Sequence, residues 1–479
     1  MHILHISTEC YPAAKAGGLG DVVGTLPKYL TKANISTAVI LPKYATKWIK
    51  EQQWKTIYSD VLDFYQVSLP FSIQELTEGM SFPLYVVDIP SKYDRPGVYL
   101  DEEGNGYEDE VERAICFQRA VLQWLAQGTT KPTVIHCHDH HTGLIPFMMK
   151  HCPEFARLSE IPTVFTIHNA EYHGKFSWEK IGLLPLFDGR VSGLLDWDYA
   201  INPLATAIKC AWKVTTVSPT YMKELRLQTR GLEQLLQQEQ HKSIGILNGI
   251  DVQVWNPFTD QFIHSSLVRS IEKYKDTNKR FLTQTFNIPM KLPLITVIGR
   301  LAREQGADFL APVIEHFLNK GGKAAFIVLG TGEPILHQML LDLKRKYKGI
   351  VDVALEYNEK LAHQLYAGSD FLWMPSRVEP CGLNQLYAMR YGTLPIVRAV
   401  GGLKDTVADI KGTKGNGIQF KDLTIEDATV AVQRAAHLYL KKPATFKKVR
   451  TSIMQLDFSW EKSATEYITL YKEFEALSL

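Results

Sequence analysis

Residues 374–407, MPSRVEPCGLNQLYAMRYGTLPIVRAVGGLKDTV, decide the fold of this chain. An apolar strand over residues 370–375 runs into this stretch, and Glu379 lies in the turn that follows the strand. The pattern then predicts a helix that begins near Gly382 and ends at Gly392, because a glycine takes the left-handed cap conformation at little steric cost. This succession is one strand–turn–helix unit of an α/β fold.

A second unit of the same kind follows directly. Strand Leu394–Arg398 leads into Gly401-Gly402 and another helix start. Two such units in succession place their loops and helix N-termini at one edge of a parallel sheet. Unpaired main-chain N–H groups at such an edge bind phosphate or sugar oxygens. The Glu379 carboxylate beside them indicates binding of a sugar hydroxyl or stabilisation of charge.

Length and composition narrow the class of protein. With 479 residues the chain is too long for a single core, so two or three domains are expected. Its 22% of charged residues and net charge of +2 predict neither a nucleic-acid partner nor a charged tail. The chain opens on a strand rather than on a secretory signal, and no apolar run approaches a membrane span, so no membrane partner is expected. Its six cysteines form no CxxC pair, which predicts reduced thiols in the cytoplasm.

A glycine loop lies near the start of the chain. Strand residues 2–7 lead to residues 15–21, KAGGLGD, and then to a helix that ends near Ala33. Paired glycines let the backbone approach a ligand closely, and the helix N-terminus offers N–H groups to an anion. The loop by itself is also consistent with a tight strand–helix turn that binds nothing.

Four histidines and an aspartate lie in residues 136–141, HCHDHH, at the end of a strand predicted over residues 133–136. Such a segment suggests a metal hydrolase. Metal sites, however, usually draw ligands from separate elements or from i, i+4 positions of a helix. Along an extended chain, neighbouring side chains point to opposite faces. We therefore predict no metal here, and a metal hydrolase is the weakest reading of the sequence.

The other strands also end in polar or glycine residues. The strand of residues 163–167 ends at His168, which by itself is consistent with a structural histidine. The second half repeats the strand–helix alternation, which predicts another open parallel sheet. Its strands are expected at residues 294–298, 325–329 and 351–355. A linker over residues 248–260, which contains proline and tryptophan, suits a domain boundary.

These motifs together resemble the bacterial-type glycogen and starch synthases, which are retaining glycosyltransferases of the GT-B fold. The resemblance rests on residues 379–407, residues 15–22 (KAGGLGDV), residues 93–97 (YDRPG) and residues 166–174 (TIHNAEYHG). It extends to the strand-end segment of residues 136–141 and to residues 248–257, which resemble the hinge that leaves the first domain. It implies an α/β protein of two Rossmann-like domains with parallel sheets and an active site in the interdomain cleft. The predicted domains are residues 1–247 on the acceptor side, joined by a C-terminal crossover helix over 459–479, and residues 248–458 on the nucleotide-sugar side.

The resemblance also implies the reaction and its residues. Glucose would pass from ADP-glucose or UDP-glucose to the non-reducing end of an α-1,4-glucan such as glycogen, with retention of configuration and with no metal or cofactor. Glu379 would hold a sugar hydroxyl, His168 would bind the transferred glucose, Arg300 would bind phosphate and Asp139 would line the acceptor side. The implied donor-binding residues are Lys15, Gly17, Gly18, Asp21, Asn248, Arg300, Gln305, Tyr357, Cys381, Gly382 and Leu383.

One position departs from the family pattern. The family has a lysine just before the glycine of the segment after Arg300, and this chain has Gln305 before Gly306. The loss of a cation beside a leaving diphosphate is expected to cost roughly 3–4 kcal/mol in the transition state, judging by the loss of single oxyanion donors. The departure motivates an alternative function, a catalytically weak paralogue that binds glucan or regulates a true synthase. Tyr387, eight residues after Glu379, is usual for this branch.

Overall fold

The computed structural model describes residues 1–64, 67–101, 103–128 and 131–475. The chain divides into two compact units. The first comprises Met1–Val217, Met222–Ile246 and the C-terminal stretch from Trp460. The second comprises Ser218–Tyr221 and Leu247–Ser459. No helix among the described residues is both long and apolar enough to cross a membrane.

The first unit is built on one large sheet with helices around it. Its strands are β1 (His2–Ile6), β2 (Ser36–Pro42), β3 (Trp54–Phe64), β4 (Val67–Leu76), β5 (Leu84–Asp88), β6 (Val134–His138), β7 (Thr163–Ile167), the short pair β8 (Asp196–Trp197) and β9 (Ala200–Ile201), β10 (Lys213–Thr216) and β11 (Ser243–Gly245). Its helices are α1 (Gly18–Lys32), α2 (Lys47–Glu51), α3 (Glu110–Gln127), α4 (Ile145–His151), α5 (Pro203–Cys210), α6 (Pro219–Leu225), which begins in the segment of the second unit, and α7 (Glu233–Gln238).

The large sheet has the order β11-β10-β7-β6-β1-β2-β5-β4-β3. All neighbours are parallel except that β4 runs antiparallel to β5 and β3. The central strands β1 and β7 are buried along almost their whole length, as expected for a parallel sheet that is covered on both faces. The sequence of residues 43–80 is irregular and predicts strands and connections without definite bounds. In the structure these residues include α2 and the long antiparallel pair β3 and β4.

Strand β6 is longer than predicted. It ends at His138 rather than at His136, and it pairs with β1 and β7 in parallel. Because side chains alternate along a strand, His136 and His138 share one face of the sheet. His5 of β1 lies opposite His136 in the register, so that face carries three histidines. Alternation separates direct neighbours such as His136 and Cys137, but it does not separate His136 from His138.

The second unit is a six-stranded, fully parallel sheet of the order β14-β13-β12-β15-β16-β17. Its strands are β12 (Leu294–Ile298), β13 (Ala325–Leu329), β14 (Val351–Ala354), β15 (Phe371–Met374), β16 (Leu394–Arg398) and β17 (Ile418–Phe420). Its helices are α8 (Ile271–Thr285), α9 (Ala307–Asn319), α10 (Pro334–Lys346), α11 (Glu359–Gly368), α12 (Asn384–Arg390), α13 (Gly401–Thr406), α14 (Ile425–Lys441) and α15 (Pro443–Ile453). The two α/β units confirm the predicted fold class.

Residues 374–407 form the end of β15, then α12, β16 and α13. Helix α12 begins at Asn384, two residues later than predicted, because Gly382 and Leu383 belong to the loop before it. The Asn384 side chain donates to the Ile298 carbonyl at 2.7 Å, which ties the start of α12 to the end of β12. Gly392 follows the helix with a φ of +76°, as a left-handed cap requires.

The last helix, α16 (Trp460–Glu475), returns to the first unit. One face of this helix is buried against α1 and the sheet. The buried side chains are Trp460, Ala464, Tyr467, Leu470, Tyr471 and Phe474. Tyr471 also reaches the sheet through its hydroxyl, which lies 2.7 Å from His136 Nδ1.

Candidate active site

In the second unit, Glu379 lies in the loop that follows β15. Its Oε2 accepts a hydrogen bond from the Ser376 hydroxyl at 3.0 Å, and the Gln305 side chain is a second hydrogen-bonding neighbour. Burial raises the pKa of the Glu379 carboxyl to about 7, although these hydrogen bonds and the charge of Arg300 act in the opposite direction. The carboxyl therefore titrates closer to neutral pH than an ordinary glutamate does.

Gln305 is held beside Glu379 by contacts between two loops. Residues 303–305 form a short 3₁₀ turn after β12. The main-chain N–H groups of Arg377 and Val378 donate to the Glu304 carbonyl at 2.8 and 3.3 Å. The Arg377 guanidinium also pairs with both carboxylate oxygens of Asp308, at 2.5 and 2.8 Å. These bonds hold Gln305, at the position where the family has lysine, next to the Glu379 carboxyl.

The loop before α12 presents main-chain donors. Within the described residues, the N–H groups of Cys381, Gly382 and Leu383 donate no hydrogen bond. Gly382 has a φ of +70°, and a Cβ there would lie 2.6 Å from Gln385 Oε1 and 3.1 Å from Glu379 Cγ. The Gln385 amide in turn donates to the carbonyls of residues 381 and 382. Glycine is thus required for both the backbone conformation and the close approach of Glu379.

The other residues assigned to the second unit lie around the same sheet edge. Arg300 is exposed and follows β12 by two residues, and Tyr357 is 80% exposed after β14. Asn248 is buried, and its Oδ1 has no hydrogen-bond partner among the described residues. The Asn248 main chain contacts the Cys381 thiol, whose pKa burial raises to about 12. Parallel strands β12, β14 and β15 therefore bring Arg300, Tyr357 and Glu379 to one edge.

In the first unit, the glycine loop is organised by Glu9, a residue that the sequence analysis missed. Glu9 Oε2 accepts hydrogen bonds from the N–H groups of Ala16 and Gly17 at 2.7 and 2.9 Å. Its Oε1 accepts from the Tyr99 hydroxyl at 2.7 Å. The Gly17 amide is therefore already engaged, whereas Gly18 begins α1. A carboxylate just after a strand was the signal that singled out Glu379, and the same rule would have found Glu9.

The two charged residues of this loop pair with each other. Lys15 Nζ lies 2.7 Å from Asp21 Oδ1, and both side chains are partly exposed. The pair holds the Lys15 ammonium group beside the N-terminus of α1. An anionic ligand can bind this group by taking the place of the Asp21 carboxylate.

Asp139 and His168 are brought together at the ends of β6 and β7. Asp139 has a φ of +56°, and its Oδ1 accepts hydrogen bonds from the N–H groups of His168 and Asn169 at 2.7 and 3.4 Å. Burial raises the pKa of the Asp139 carboxyl to about 7. The His168 ring is buried, and its Nε2 lies 3.0 Å from His138 Nδ1.

The histidine-rich segment contributes to two groups of metal-ligand type among the described residues, His5, His136 and His138, and Glu110, His140 and His141. In the first group both nitrogens of His136 and both of His138 already have hydrogen-bond partners, so the set is poorly suited to a metal. In the second group His141 Nε2 lies 3.5 Å from Glu110 Oε1. This second group, rather than the first, could bind a cation.

Comparison with protein families gives two matches that together span most of the chain. The family described as "Starch synthase catalytic domain" matches residues 2–238. The family described as "Glycosyl transferases group 1" matches residues 278–449. The two matches fall on the two halves of the chain, where the two sheets lie.

Individual relatives match over nearly the whole length. The chain is 44% identical to a protein named glycogen synthase of Flavobacterium johnsoniae over 478 residues, with 98% of each chain covered. It is 37% identical to a glycogen synthase of Anoxybacillus flavithermus, with 99% of this chain and 98% of that one covered. Among solved structures, the catalytic domain of starch synthase IV from Arabidopsis thaliana, bound to ADP and acarbose, matches with a TM-score of 0.88 at 32% identity over 99% of each chain.

Proposed function

The chain belongs to the glycogen and starch synthase family of glycosyltransferases, and we propose that it transfers glucose from ADP-glucose to the non-reducing end of an α-1,4-glucan with retention of configuration. The observation that carries the proposal is the loop of residues 379–383, where a buried carboxylate lies beside three main-chain N–H groups without partners in the described structure. Such an array suits a ligand that combines sugar hydroxyls with phosphate oxygens.

The donor-binding role in the second unit follows from charge and geometry. Arg300 offers a planar guanidinium that can bind phosphate through two parallel hydrogen bonds. The N–H groups of residues 381–383 are fixed by the backbone and therefore need no reorganisation when negative charge develops on the leaving diphosphate. Glu379 accepts a hydrogen bond from a sugar hydroxyl in its ionised form. Tyr357 and Asn248 complete the proposed donor set at this sheet edge.

In the first unit, the proposed ligand groups lie at the ends of β1, β6 and β7. Lys15 and the N-terminus of α1, which starts at Gly18, supply positive charge for an anionic donor. His168 is proposed to bind the transferred glucose. Asp139 holds the main chain around His168 and is proposed to line the acceptor side, as the family resemblance implies.

The proposed reaction needs no metal or cofactor. The bond between C1 of glucose and the diphosphate oxygen breaks, and its electron pair leaves with the diphosphate. The hydroxyl of the acceptor's terminal glucose forms the new bond to C1 from the same face, and its proton passes to the departing diphosphate. The chain's own contribution is to hold both substrates and to stabilise the leaving charge with Arg300 and the N–H groups of residues 381–383.

We also propose a cytoplasmic location. Each of the six cysteines lies within the described residues and is a free thiol. Free thiols of this number are usual in a reducing compartment. A nucleotide sugar and a glucan are the proposed partners.

Purified full-length protein with a glycogen primer tests the proposal. ADP-glucose and UDP-glucose, each carrying a labelled glucose, are offered in turn with and without a chelator. We expect incorporation from ADP-glucose at a higher kcat/KM than from UDP-glucose and no effect of the chelator. Better use of UDP-glucose would overturn the donor assignment alone.

Two other outcomes contradict the proposal more deeply. If neither donor is used while the protein still binds glycogen, the chain is a binding or regulatory paralogue. If the chelator abolishes transfer, a metal takes part, and Glu110, His140 and His141 are the residues to replace first. A Glu379→Gln variant serves as the inactive control in each arm.

A further inference from the structure

Three buried histidines of the first unit form a hydrogen-bonded line that ends at His168. His5 Nδ1 lies 3.1 Å from His138 Nε2, and His138 Nδ1 lies 3.0 Å from His168 Nε2. We infer that His138 and His5 are positioning residues, which fix the tautomer of His168 so that its Nδ1 carries the hydrogen. The inference rests on the proposed function, in which His168 binds the transferred glucose.

All three rings are neutral. His5 and His138 have at most 1% of their surface exposed, and His168 has 8%. Within the described residues, none of the three forms an ion pair or a hydrogen bond with a carboxylate side chain that would stabilise an imidazolium. Burial accordingly lowers the pKa of His5 and of His168 to about 3 and that of His138 well below its usual value, with the neighbouring histidines adding to the effect at His138.

A neutral imidazole has one N–H donor and one bare nitrogen acceptor. A line of three such rings joined by two hydrogen bonds can therefore carry its hydrogens in only two directions. In the first, His5 donates to His138 and His138 donates to His168. In the second, His168 donates to His138 and His138 donates to His5.

The free end of the line selects the direction. His5 Nε2 is buried and has no hydrogen-bond partner in the described part of the chain. In the second direction this nitrogen would carry a hydrogen with no acceptor, whereas in the first it is a bare acceptor. Buried N–H groups without an acceptor are rarer in proteins than acceptors without a donor. The first direction therefore prevails, and His168 Nε2 accepts the hydrogen bond from His138.

His136 holds the line in place without joining it. Its Nδ1 is bonded to the Tyr471 hydroxyl at 2.7 Å and its Nε2 to the Thr166 hydroxyl at 2.6 Å. Its ring stacks on that of His138, with centroids 4.2 Å apart. The stacking limits rotation of the His138 ring, which keeps Nδ1 directed at His168.

The chosen direction has a chemical consequence. When His168 Nε2 accepts, Nδ1 must carry the hydrogen and is a donor. His168 Nδ1 has no protein partner among the described residues, so the N–H is available to an oxygen of a bound sugar. The opposite tautomer would offer a lone pair to the same oxygen and would instead require a hydroxyl donor. The line thus decides which kind of hydrogen bond the transferred glucose receives.

Kinetics of the full-length enzyme give the first test. His138→Leu removes the donor to His168, and we expect kcat to fall by about tenfold or more while KM for donor and acceptor each change by less than about threefold. His138→Asn keeps an amide donor near the position of Nδ1 and is expected to recover part of that loss. Thr37→Val is the matched control, because Thr37 is buried on strand β2 and its hydroxyl has no hydrogen-bond partner among the described residues.

Wild-type kcat in His138→Leu, or an equal loss in Thr37→Val, would overturn the inference. A purely structural role predicts similar losses in His138→Leu and His138→Asn. Rescue by asparagine is therefore the outcome that separates positioning from packing.

The second test reads the tautomer directly and needs no turnover. The protein is labelled with ¹⁵N in its histidine rings, and the His168 signals are identified by their loss in His168→Asn. We expect the Nδ1–H tautomer for His168 in the wild type and a mixture in His138→Leu. An Nε2–H tautomer in the wild type, or no change in the variant, refutes the inference. A protein that is inert with every donor would contradict the proposed function and leave this measurement intact.

Discussion

Two carboxyl groups, one in each unit, have a pKa raised to about 7 because desolvation disfavours their charged forms, although both residues are only partly buried. They are Glu379 after β15 and Asp139 after β6. Ionising a buried carboxyl opposes folding, so each group lowers the stability of the native state near neutral pH. Such a cost is typical of residues retained for binding or catalysis rather than for packing. The two carboxyls therefore support the site assignments independently of the family resemblance.

The stability cost at Glu379 can be measured. Its pKa is 4.5 in an unperturbed side chain and about 7 in the folded protein. Between those pH values the folded state binds more protons than the unfolded chain, so the free energy of unfolding falls as pH rises. Glu379→Gln removes this loss and keeps an acceptor for Ser376. We expect the variant to be more stable than the wild type by about 2 kcal/mol at pH 8 and by much less at pH 5, discounted for partial exposure to water.

Urea unfolding of both proteins at the two pH values checks this prediction. Asp139 is present in both proteins, so its own contribution cancels in the difference. Glu466→Gln, an exposed glutamate of α16, is the control and should change neither value. A stability difference that is the same at pH 5 and pH 8 would show that Glu379 is not titrating in this range.

Replacing Gln305 by lysine should change the pKa of the same Glu379 carboxyl. Lysine at position 305 would lie beside Glu379, and its positive charge would favour the ionised carboxylate. The pKa of Glu379 then falls, and the acidic limb of kcat/KM against pH moves to lower pH in Gln305→Lys. We also expect kcat to rise by roughly tenfold, because the added cation lies near the leaving diphosphate and a tenfold change corresponds to about 1.4 kcal/mol of barrier.

Gln338→Lys adds the same charge to the exposed surface of α10 and serves as the control. Its pH profile should match that of the wild type. If the acidic limb of Gln305→Lys does not move, Glu379 is not the group that this limb reports. If both proteins have equal kcat, Arg300 and the main-chain donors already provide the stabilisation that lysine would add.

At the scale of elements, the sequence predicted the parallel strands well and the antiparallel pair poorly. Strand β15 is a continuous apolar run before Pro375, and β16 is apolar from Leu394 to Val397 after Gly392. Such runs have few alternative structures. Strand β3 has an extra residue at Ile57, where its register with β4 shifts. That bulge breaks the period-two alternation by which a half-exposed strand is recognised in a sequence.

The loop before α12 gives a prediction at this scale. Gly382→Ala would strain a backbone with φ of +70° and would push Cβ against Gln385 and Glu379. We expect a stability loss of about 1–2 kcal/mol and a larger fall in kcat/KM, because the N–H groups of residues 381–383 would shift away from the donor. Thermal unfolding and donor kinetics measure the two effects.

Gly321 provides a matched control for the strain. It has a φ of +75°, and a Cβ there would meet nothing within 4 Å. Gly321→Ala should therefore lose similar stability and keep its kcat/KM. Equal kinetic losses in the two variants would mean that the loop of residues 381–383 has no special role in donor binding.

At the scale of the whole molecule, the sequence predicted residue types near the site better than their partners. Glu379 was singled out because it follows a strand, and parallel strands end at a common edge. His168 also follows a strand, but its role was implied by the family resemblance. The contacts of Gln305 with Glu379 and of Glu9 with the glycine loop join residues that are distant or irregular in sequence. Hydrogen-bond partners of this kind depend on the packing of two loops, which no local period encodes.

The last prediction concerns the response of the whole protein to its nucleotide. A ligand that binds only the folded state stabilises it by RT ln(1 + [L]/Kd), which is about 2.7 kcal/mol when the ligand is at 100 times its Kd. We therefore expect ADP to raise the Tm of the wild type in a concentration-dependent way. Arg300→Ala removes the proposed phosphate cation and should shift the ADP titration to higher concentration by tenfold or more, since a hydrogen bond to a charged group is worth about 1.5–3 kcal/mol.

Arg269→Ala, which removes another exposed cation of the same unit, should leave the titration unchanged. UDP in place of ADP gives the comparison for the base, because both nucleotides offer the same diphosphate. An equal response to both nucleotides would assign the binding energy to the phosphates alone, and an unaltered titration in Arg300→Ala would remove Arg300 from the donor site.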